Sequence, residues 1–491
     1  MNKYILKTFL LSALAVPAMT SCELDQFPET SLTTETSWSQ VSDADNYNTG
    51  LLSNLRAVAG GTHAYVSEVQ SDLFNARRGT AEQNQVHQWT FTTSQFDGDD
   101  VWKDNYNLIS NANNIINNID KIVVDPESED AVTLRHYKGT AYFARAFAYA
   151  NMVVRYCKEY DPATAAATLG LPIVNTVDVN AKPSRSSLEA TYLQIKGDIR
   201  EARTMLADAP ADNYAVPNID VVNALDARVS LNMKDYENAI SLSTDLMAKY
   251  PLISDADEFA DMWLNDEGSE IIYQPLQTVD ERVNPYSTIF IMFDAAANAY
   301  NPYYLPSQGL LDLYEDNDIR GYAYFAQVPV SANDMVDDNG VIFAKFPGNP
   351  ALKKQQTDFF NMTKVFRSAE LYLIAAEASY RLNGTDGGFL NALRSKRGAS
   401  AVNATGEVLW SQIKNEWIRE MVGEGFRLDC LKRWHEGFSR MAPQPLPGEM
   451  FISTSGYLDL TVDADNEKFV WEIPAQDLQA NKNLVRNWTL K

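Results

Sequence analysis

The chain has 491 residues, of which 45% are apolar, and a formal net charge of -24. A chain of this length can bury a large core, and length alone would allow two or three domains. Its acidic surface repels phosphate backbones and no Lys/Arg-rich segment interrupts the acidity, so the composition argues against nucleic acid as a partner. The same charge disfavours anionic polysaccharides.

The first residues have the pattern of a bacterial lipoprotein signal. A basic start is followed by an apolar stretch over residues 9–18 and then by Met19-Thr20-Ser21-Cys22. This predicts a signal peptide at residues 1–21 and a mature N-terminus at Cys22. A lipid on the thiol and an acyl chain on the amine would give the two anchors that stable membrane attachment needs. Simple secretion with a chance cysteine is the alternative.

Helical periodicity dominates the rest of the chain. Residues 221–251 have the pattern of a tetratricopeptide-type helix pair, in which the small residues Ala227 and Ala239 allow close packing and Pro251 ends the unit. Apolar residues that recur every three or four positions predict further helices over residues 101–121, 134–156, 187–206, 368–382 and 408–422.

Four polar, aromatic-rich spans separate these helices and are predicted to be long ordered loops. Loops of such length are uncommon in compact domains unless they are functional, and binding residues concentrate on loops held by rigid scaffolds. The spans cover residues 60–100, 273–306, 325–362 and 440–470.

Cysteine and acidic residues give no strong metal signal. Cys157 and Cys430 fall in helical patterns and are predicted to be buried free thiols, because no His or Cys lies at metal-ligand spacing. The acidic runs 97–100 and 316–318 are predicted to be solvated turns. Ca²⁺ binding is the alternative, although neither run has the full spacing of a calcium loop.

A series of motifs follows in one order along nearly the whole chain. They are Val101-Trp102-Lys103-Asp104-Asn105-Tyr106, Ala144-Arg145-Ala146, Gly170-Leu171-Pro172-Ile173-Val174, Leu313-Tyr314 with Asp316-Asn317-Asp318-Ile319-Arg320, Arg367-Ser368-Ala369-Glu370-Leu371-Tyr372, Asn391-Ala392-Leu393-Arg394, Glu424-Gly425-Phe426-Arg427 and Trp471-Glu472-Ile473-Pro474. Together they resemble the SusD/RagB family of outer-membrane nutrient-binding lipoproteins.

The resemblance implies a fold dominated by α-helices. We expect a SusD-like fold with tetratricopeptide-like helix pairs, long loop excursions and few short strands. Residues 22–491 would form a single domain, with an N-terminal part at about 22–300 and a C-terminal SusD/RagB part at about 301–491.

The resemblance also implies a function. We expect a cell-surface protein, lipid-anchored in the outer membrane, that binds an oligo- or polysaccharide without catalysis. It would deliver this glycan to a SusC-like TonB-dependent outer-membrane transporter, and it would need no cofactor and no metal. Two positions depart from the family pattern, which puts local ion pairing in doubt: Trp417 stands where an arginine is usual, and Cys430 where an aspartate is usual.

Glu370 and Glu377 lie seven residues apart on one predicted helix face. Such a pair invites an acid/base interpretation, but glycoside hydrolysis needs two carboxylates that face each other across a cleft. Ion pairing with charges elsewhere in the fold is the favoured interpretation.

Two of the loop spans have the composition of a site for a neutral glycan, which pairs aromatic rings with polar side chains. The resemblance places glycan-binding loops in the same two regions. Trp89 and Phe91 alternate with polar residues, however, so a half-buried strand with both rings in the core is the alternative. The candidate ligand-binding residues are Tyr65, Arg78, Asn84, His87 and Trp89 in the first span, and Tyr286, Tyr300 and Tyr303 in the second.

Two other functions remain open. One branch of the family captures peptides, and a cleft rich in carboxylates and amides without an aromatic platform would favour that cargo. A surface glycoside hydrolase is the second alternative, but the sequence has no Gly-x-Ser-x-Gly, His-Glu-x-x-His or phosphate-loop motif.

Overall fold

A computed structural model describes residues 37–488 apart from 81–83, 94, 95, 97, 179 and 284–286. The predicted signal peptide with Cys22 and the candidate Tyr286 lie outside the described residues. No helix in the described part of the chain is both long and apolar enough to cross a membrane.

Helices form the frame of the molecule. The first part of the chain contains α1 (Val41–Val58), α2 (Thr62–Gln70), α3 (Asn84–His87), α4 (Asp99–Asn118), α5 (Glu129–Tyr156), α6 (Leu188–Met205), α7 (Ile219–Asn232), α8 (Tyr236–Met247) and α9 (Ala256–Leu264). The second part contains α10 (Ser287–Phe290), α11 (Gln308–Leu311), α12 (Ile319–Tyr324), α13 (Ser368–Asn383), α14 (Phe389–Lys396), α15 (Gly406–Met421), α16 (Arg427–Trp434) and α17 (Ala475–Ala480).

The helices predicted from periodicity are all present, as α4, α5, α6, α13 and α15. Helix α5 begins earlier than predicted because Ser128 caps it: the Ser128 hydroxyl accepts a hydrogen bond from Ala131 N at 3.2 Å. The predicted helix pair is α7 and α8, which pack against each other and onto α13. Ala227 and Ala239 are fully buried, as expected for two helices in close contact.

Strands are short, as predicted. They are β1 (Phe74–Ala76), β2 (Ile271–Tyr273), β3 (Phe293–Asp294), β4 (Ala299–Tyr300), β5 (Tyr304–Pro306), β6 (Phe325–Gln327), β7 (Val330–Ala332), β8 (Met335–Asp337), β9 (Val341–Phe343), β10 (Phe366–Arg367), β11 (Phe438–Ser439) and β12 (Thr461–Val462). Four antiparallel pairs, β1–β5, β2–β10, β6–β9 and β11–β12, accompany a four-stranded sheet of order β3-β4-β7-β8, in which β4 and β7 are parallel.

The core has two parts. A large cluster is built by the helices, and a small separate cluster lies where the loops and short strands meet. The small cluster contains Leu305, Val330, Met450 and Phe451, and Tyr300 packs against it. These apolar contacts fix loops that are far apart in sequence against one another.

The predicted loop at residues 60–100 contains an unpredicted helix. In α2, residues 63–70 are all buried. A helix without a solvent-exposed face lacks the three-to-four periodicity by which helices are recognised in sequence, and this explains why it was missed.

Ion pairs in the core account for several family motifs. Glu420 on α15 accepts hydrogen bonds from Arg320 at 2.9 Å and Arg397 at 3.0 Å, and it also pairs with Arg367. Burial raises the pKa of the Glu420 carboxyl, but the charges of Arg397, Arg367 and Arg320 outweigh burial and hold this pKa well below its usual range. All four side chains are buried. These arginines of the family motifs therefore have a structural role in the core.

The ion-pair interpretation of the two glutamates on α13 is confirmed. Arg228 donates to Glu370 at 2.6 Å, and Arg433 donates to Glu377 at 2.8 Å. Arg433 also lies 3.5 Å from the Cys430 sulfur. Arg433, which could pair with an aspartate at position 430, therefore pairs with Glu377 instead.

The prediction for the two cysteines is confirmed, and the prediction for one of the acidic turns is wrong in part. Cys157 and Cys430 are free and buried, as predicted, and burial raises the pKa of the Cys430 thiol to about 12. The solvated turn predicted at 316–318 is wrong for Asp318, which is buried and pairs with Arg320 at 2.7 Å.

Glu68 on α2 makes stability depend on pH. It is fully buried, and burial raises the pKa of its carboxyl from 4.5 to about 7 despite a hydrogen bond from Gly425 N. Because the pKa of Glu68 is higher in the folded than in the unfolded protein, protonated Glu68 stabilises the fold fully below pH 4.5. This stabilisation is lost as the pH rises through about 7. The loss amounts to about 3 kcal/mol.

Substitution Glu68→Gln should remove this pH dependence. We expect the free energy of unfolding of Glu68→Gln, relative to the parent protein, to rise by about 3 kcal/mol between pH 4.5 and pH 8. Urea denaturation across this pH range measures the difference. The exposed Glu407→Gln on α15 is the control and should show no such rise. A constant difference for Glu68→Gln would contradict the assignment.

Candidate functional site

Two of the sequence-predicted spans meet in the structure. β1 pairs with β5 so that Ala76 lies opposite Tyr304. Just beyond the pair, Arg77 N donates to Tyr303 O at 2.9 Å, and the Thr80 hydroxyl donates to the same oxygen at 2.6 Å. The backbone after β1 is therefore tied to the backbone before β5.

A third segment completes this surface. Arg78 N donates to Met450 O at 2.7 Å, and Ile452 N donates to Ala76 O at 3.1 Å. Farther along, Gln88 Nε2 donates to the Tyr457 hydroxyl at 2.7 Å. We call this region the three-loop surface. Its first loop contributes segments 77–80 and 84–90, its second loop contributes residues 300–304, and its third loop contributes residues 446–458.

The third loop was predicted as an ordered loop but not as part of a site. Its residues 446–458 lie at the opposite end of the chain from the first loop. Polar and aromatic composition was the available signal, with Tyr457 as its clearest element. The contacts of Met450, Ile452 and Tyr457 with the first loop, which the sequence does not show, place this loop at the same surface.

Two of the predicted residues present polar groups on this surface. Arg78 is exposed, and its guanidinium has no hydrogen-bond or ion-pair partner among the described residues. Asn84 is half-buried and donates from Nδ2 to Thr80 O at 2.7 Å. The Asn84 Oδ1 atom is buried and has no partner in the described part of the chain. The Arg78 guanidinium is therefore available to pair with a polar ligand, whereas the Asn84 oxygen is an acceptor left unsatisfied inside the protein.

Two tyrosines belong to the second loop of this surface. Tyr300 and Tyr303 are both half-buried. The Tyr300 ring packs edge-on against Phe293 with centroids 5.1 Å apart, and its strand β4 is held by a hydrogen bond to Pro329 O at 2.8 Å. A tyrosine fixed on one side with part of its ring in solvent can contact the C–H face of a sugar and bond to its hydroxyls.

The prediction that Trp89 provides a ligand platform disagrees with the structure. Trp89 is only 6% exposed, and its indole Nε1 donates to Gln70 O at 2.7 Å. Its ring packs edge-on against Phe469 and Phe438, at centroid distances of 4.8 and 5.7 Å. The alternative that Trp89 and Phe91 belong to the core is confirmed, although not as a strand: α3 and a turn precede Phe91.

Two further candidates are also buried rather than ligand-facing. His87 has no exposed surface, and its Nδ1 lies 2.9 Å from Val69 O. Burial, with the charge of Arg440, lowers the pKa of His87 well below its usual range. Tyr65 is buried on α2, with its hydroxyl 3.1 Å from Thr62 Oγ1. Polar side chains in a polar loop gave no sign in sequence of this burial.

The three-loop surface thus has the chemistry of a binding site for a polar, uncharged molecule. Among the described residues it combines the exposed guanidinium of Arg78, several amide side chains and the partly exposed phenol rings of Tyr300 and Tyr303. Within the described ranges, no group of three or more His, Cys, Asp or Glu side chains is arranged to hold a metal ion.

Comparison with protein families covers nearly all of the chain. Residues 238–489 match the model described as the SusD family, and residues 5–231 match a SusD-like model described as starch-binding and associating with the outer membrane. The chain belongs to the SusD family. A comparison with curated proteins found no match.

Solved SusD structures confirm the helix-dominated fold. A SusD superfamily protein of Bacteroides thetaiotaomicron VPI-5482 is 22% identical, covers 92% of this chain and 100% of its own, and has a TM-score of 0.76. A putative sugar binding protein of Bacteroides vulgatus ATCC 8482 is 20% identical, with 92% and 99% covered and a TM-score of 0.76. Surface glycan-binding protein A of Bacteroides uniformis is 16% identical, with 91% and 99% covered and a TM-score of 0.70.

Proposed function

We propose that this SusD-family protein binds a neutral glycan at the three-loop surface and does not alter it chemically. The hydrogen bonds that hold the loop of Arg78 and Asn84 against the loop of Tyr300 and Tyr303, distant in sequence, are the observation that carries the proposal. The description of the matching family as starch-binding and the names of two structural neighbours support the same ligand class.

The chemistry of the surface suits uncharged sugars. The Arg78 guanidinium donates to hydroxyl oxygens, and the tyrosine rings cover apolar C–H faces. A net charge of -24 would repel an anionic polysaccharide. Binding through such contacts requires no covalent step, so the proposed role is capture.

The finer parts of the role follow from the sequence and the family. We propose that residues 1–21 are removed, that Cys22 carries the lipid anchor, and that residues 22–491 form a single domain on the outer-membrane surface. A SusC-like TonB-dependent transporter would receive the glycan. Loss of surface labelling after Cys22→Ser, in cells that still make the protein, would support this anchoring.

Peptide cargo is the second candidate, and one observation favours it. Burial of Trp89 removes the largest aromatic platform from the predicted site, and a polar surface with little aromatic area suits peptides as well as sugars. A glycoside hydrolase has less support, because Glu370 and Glu377 are both held in ion pairs with arginines.

Substitution at the three-loop surface tests the proposal. We expect Arg78→Ala and Tyr303→Ala each to weaken glycan binding about tenfold, which corresponds to about 1.4 kcal/mol, the range of one hydrogen bond to a charged group or one ring contact. Isothermal titration of the soluble protein lacking residues 1–22 measures the affinity.

The matched control is Tyr322→Ala. Tyr322 is 74% exposed on α12, outside the three-loop surface, so its removal should leave glycan affinity unchanged. If Arg78→Ala and Tyr303→Ala both bind the glycan as tightly as the parent protein, the ligand binds elsewhere.

A further inference from the structure

A second place in the fold has features of a ligand site. A cavity of about 100 Å³ lies among α5, α7 and α16. A cavity of this size can hold a few water molecules or one small organic molecule. Its wall is partly apolar, with Ala150, Val154 and Tyr192, and partly charged, with Arg155 and Asp429.

Arg155 on α5 is an unpaired charge in this cavity. Its side chain is only 8% exposed, and its guanidinium has no hydrogen-bond or ion-pair partner among the described residues. Among the described residues, its guanidinium lies over the Trp471 ring, 5.5 Å from the ring centroid. Buried charges in proteins are normally paired, so this guanidinium could pair with an anionic group that enters the cavity.

Asp429 on α16 places a carboxyl group of opposite charge type in the same cavity. Its half-buried carboxylate accepts no hydrogen bond and forms no ion pair within the described ranges. Burial raises the pKa of Asp429, although the charges of Arg155 and Lys432 oppose that effect. Arg155 and Asp429 do not pair with each other, so one unpaired cation and one unpaired anion line a single cavity.

The other charged groups around the cavity are already neutralised. Each has a partner inside the protein: Arg228 with Glu370, Arg433 with Glu377, Lys364 with Asp266, Glu424 with Arg367, and His63 with Asp104. Arg155 and Asp429 are therefore the charges that a ligand could satisfy.

A smaller cavity adjoins this site. It is lined by Lys158, Glu159 and Tyr160, and Lys158 is exposed. The two cavities share five lining residues: Val154, Tyr192, Asn232, Asp429 and Arg433. Asp429 thus lines both cavities.

We propose that this cavity binds a small zwitterion, an α-amino acid with a short side chain, whose carboxylate pairs with Arg155 and whose ammonium group pairs with Asp429. A simple carboxylate would leave Asp429 unpaired and add a second negative charge beside it. A simple amine would leave Arg155 unpaired. A zwitterion satisfies both, and the apolar wall accommodates a short side chain. This site is separate from the three-loop surface and does not depend on glycan binding.

Calorimetric titration of the soluble protein with glycine, L-alanine and L-serine tests the proposal, with acetate and methylamine as probes that carry one charge each. We expect saturable binding of at least one amino acid, at least tenfold tighter than that of acetate or methylamine. Arg155→Met and Asp429→Asn should each weaken amino-acid binding at least tenfold. The control Arg200→Met, on the exposed side of α6, should not change it.

A second variant covers the case in which Arg155→Met fails to fold. Ala150→Leu keeps both charges but fills the cavity next to them, and it should abolish amino-acid binding while glycan titrations stay unchanged. The proposal is overturned if no amino acid binds, if acetate binds as tightly as alanine, or if the folded variants bind amino acids like the parent protein. Glycan binding is measured in parallel, so failure of one proposal is distinguishable from failure of the other.

Discussion

Replacing Glu420 by glutamine lowers the free energy of unfolding by about 3–5 kcal/mol, the usual cost of breaking a buried ion pair by removing one partner. Glu420 lies between Arg320, Arg367 and Arg397 in the core, and none of the three guanidiniums can reach water. Glutamine has nearly the same shape as glutamate. The substitution therefore removes the charge while leaving the packing in place.

Urea denaturation of the soluble protein, followed by circular dichroism, measures this effect through the transition midpoint. Glu407→Gln on the exposed first turn of the same helix is the control and should change stability by less than about 0.5 kcal/mol. If Glu420→Gln unfolds within about 1 kcal/mol of the parent protein, the arginines are not held by Glu420 as the structure shows.

Trp89→Ala should destabilise the protein by about 3–5 kcal/mol, as expected when a large buried aromatic side chain is truncated. The substitution leaves a cavity between Phe438 and Phe469 and leaves Gln70 O without its indole donor. Trp89→Phe keeps most of the packing but loses the hydrogen bond, so its effect should be smaller. Thermal unfolding of both variants measures the difference.

Tyr322→Ala is the control for aromatic truncation, because Tyr322 is exposed and its loss should hardly change the melting temperature. If Trp89→Ala melts at the temperature of the parent protein but loses glycan binding, the ligand-platform hypothesis is restored.

The scaffold was predictable from the sequence because its signals are local or repeated. Helices such as α4 and α6 have one apolar face. A capping serine or an αL glycine marks helix ends, as Ser187 does for α6 and Gly384 for α13. The family motifs were recognisable because residues such as Arg367 and Arg397 have fixed partners in the core. These positions define the fold and say little about the ligand.

The site was harder to predict because its features depend on contacts between distant segments. His87 and Trp89 lie in a polar loop sequence, and they are buried by packing against residues 438–469 and against the end of α2. The contribution of residues 446–458 to the three-loop surface likewise comes from backbone hydrogen bonds to the first loop. No local pattern in the sequence encodes either contact.

The decisive measurement is titration of the soluble protein lacking residues 1–22 against neutral oligosaccharides, acidic oligosaccharides and short peptides. We expect saturable binding of one class of neutral glycan, weakened about tenfold in Arg78→Ala. Binding of peptides alone, or glycan binding that Arg78→Ala and Tyr303→Ala leave intact, would contradict neutral-glycan capture at the three-loop surface.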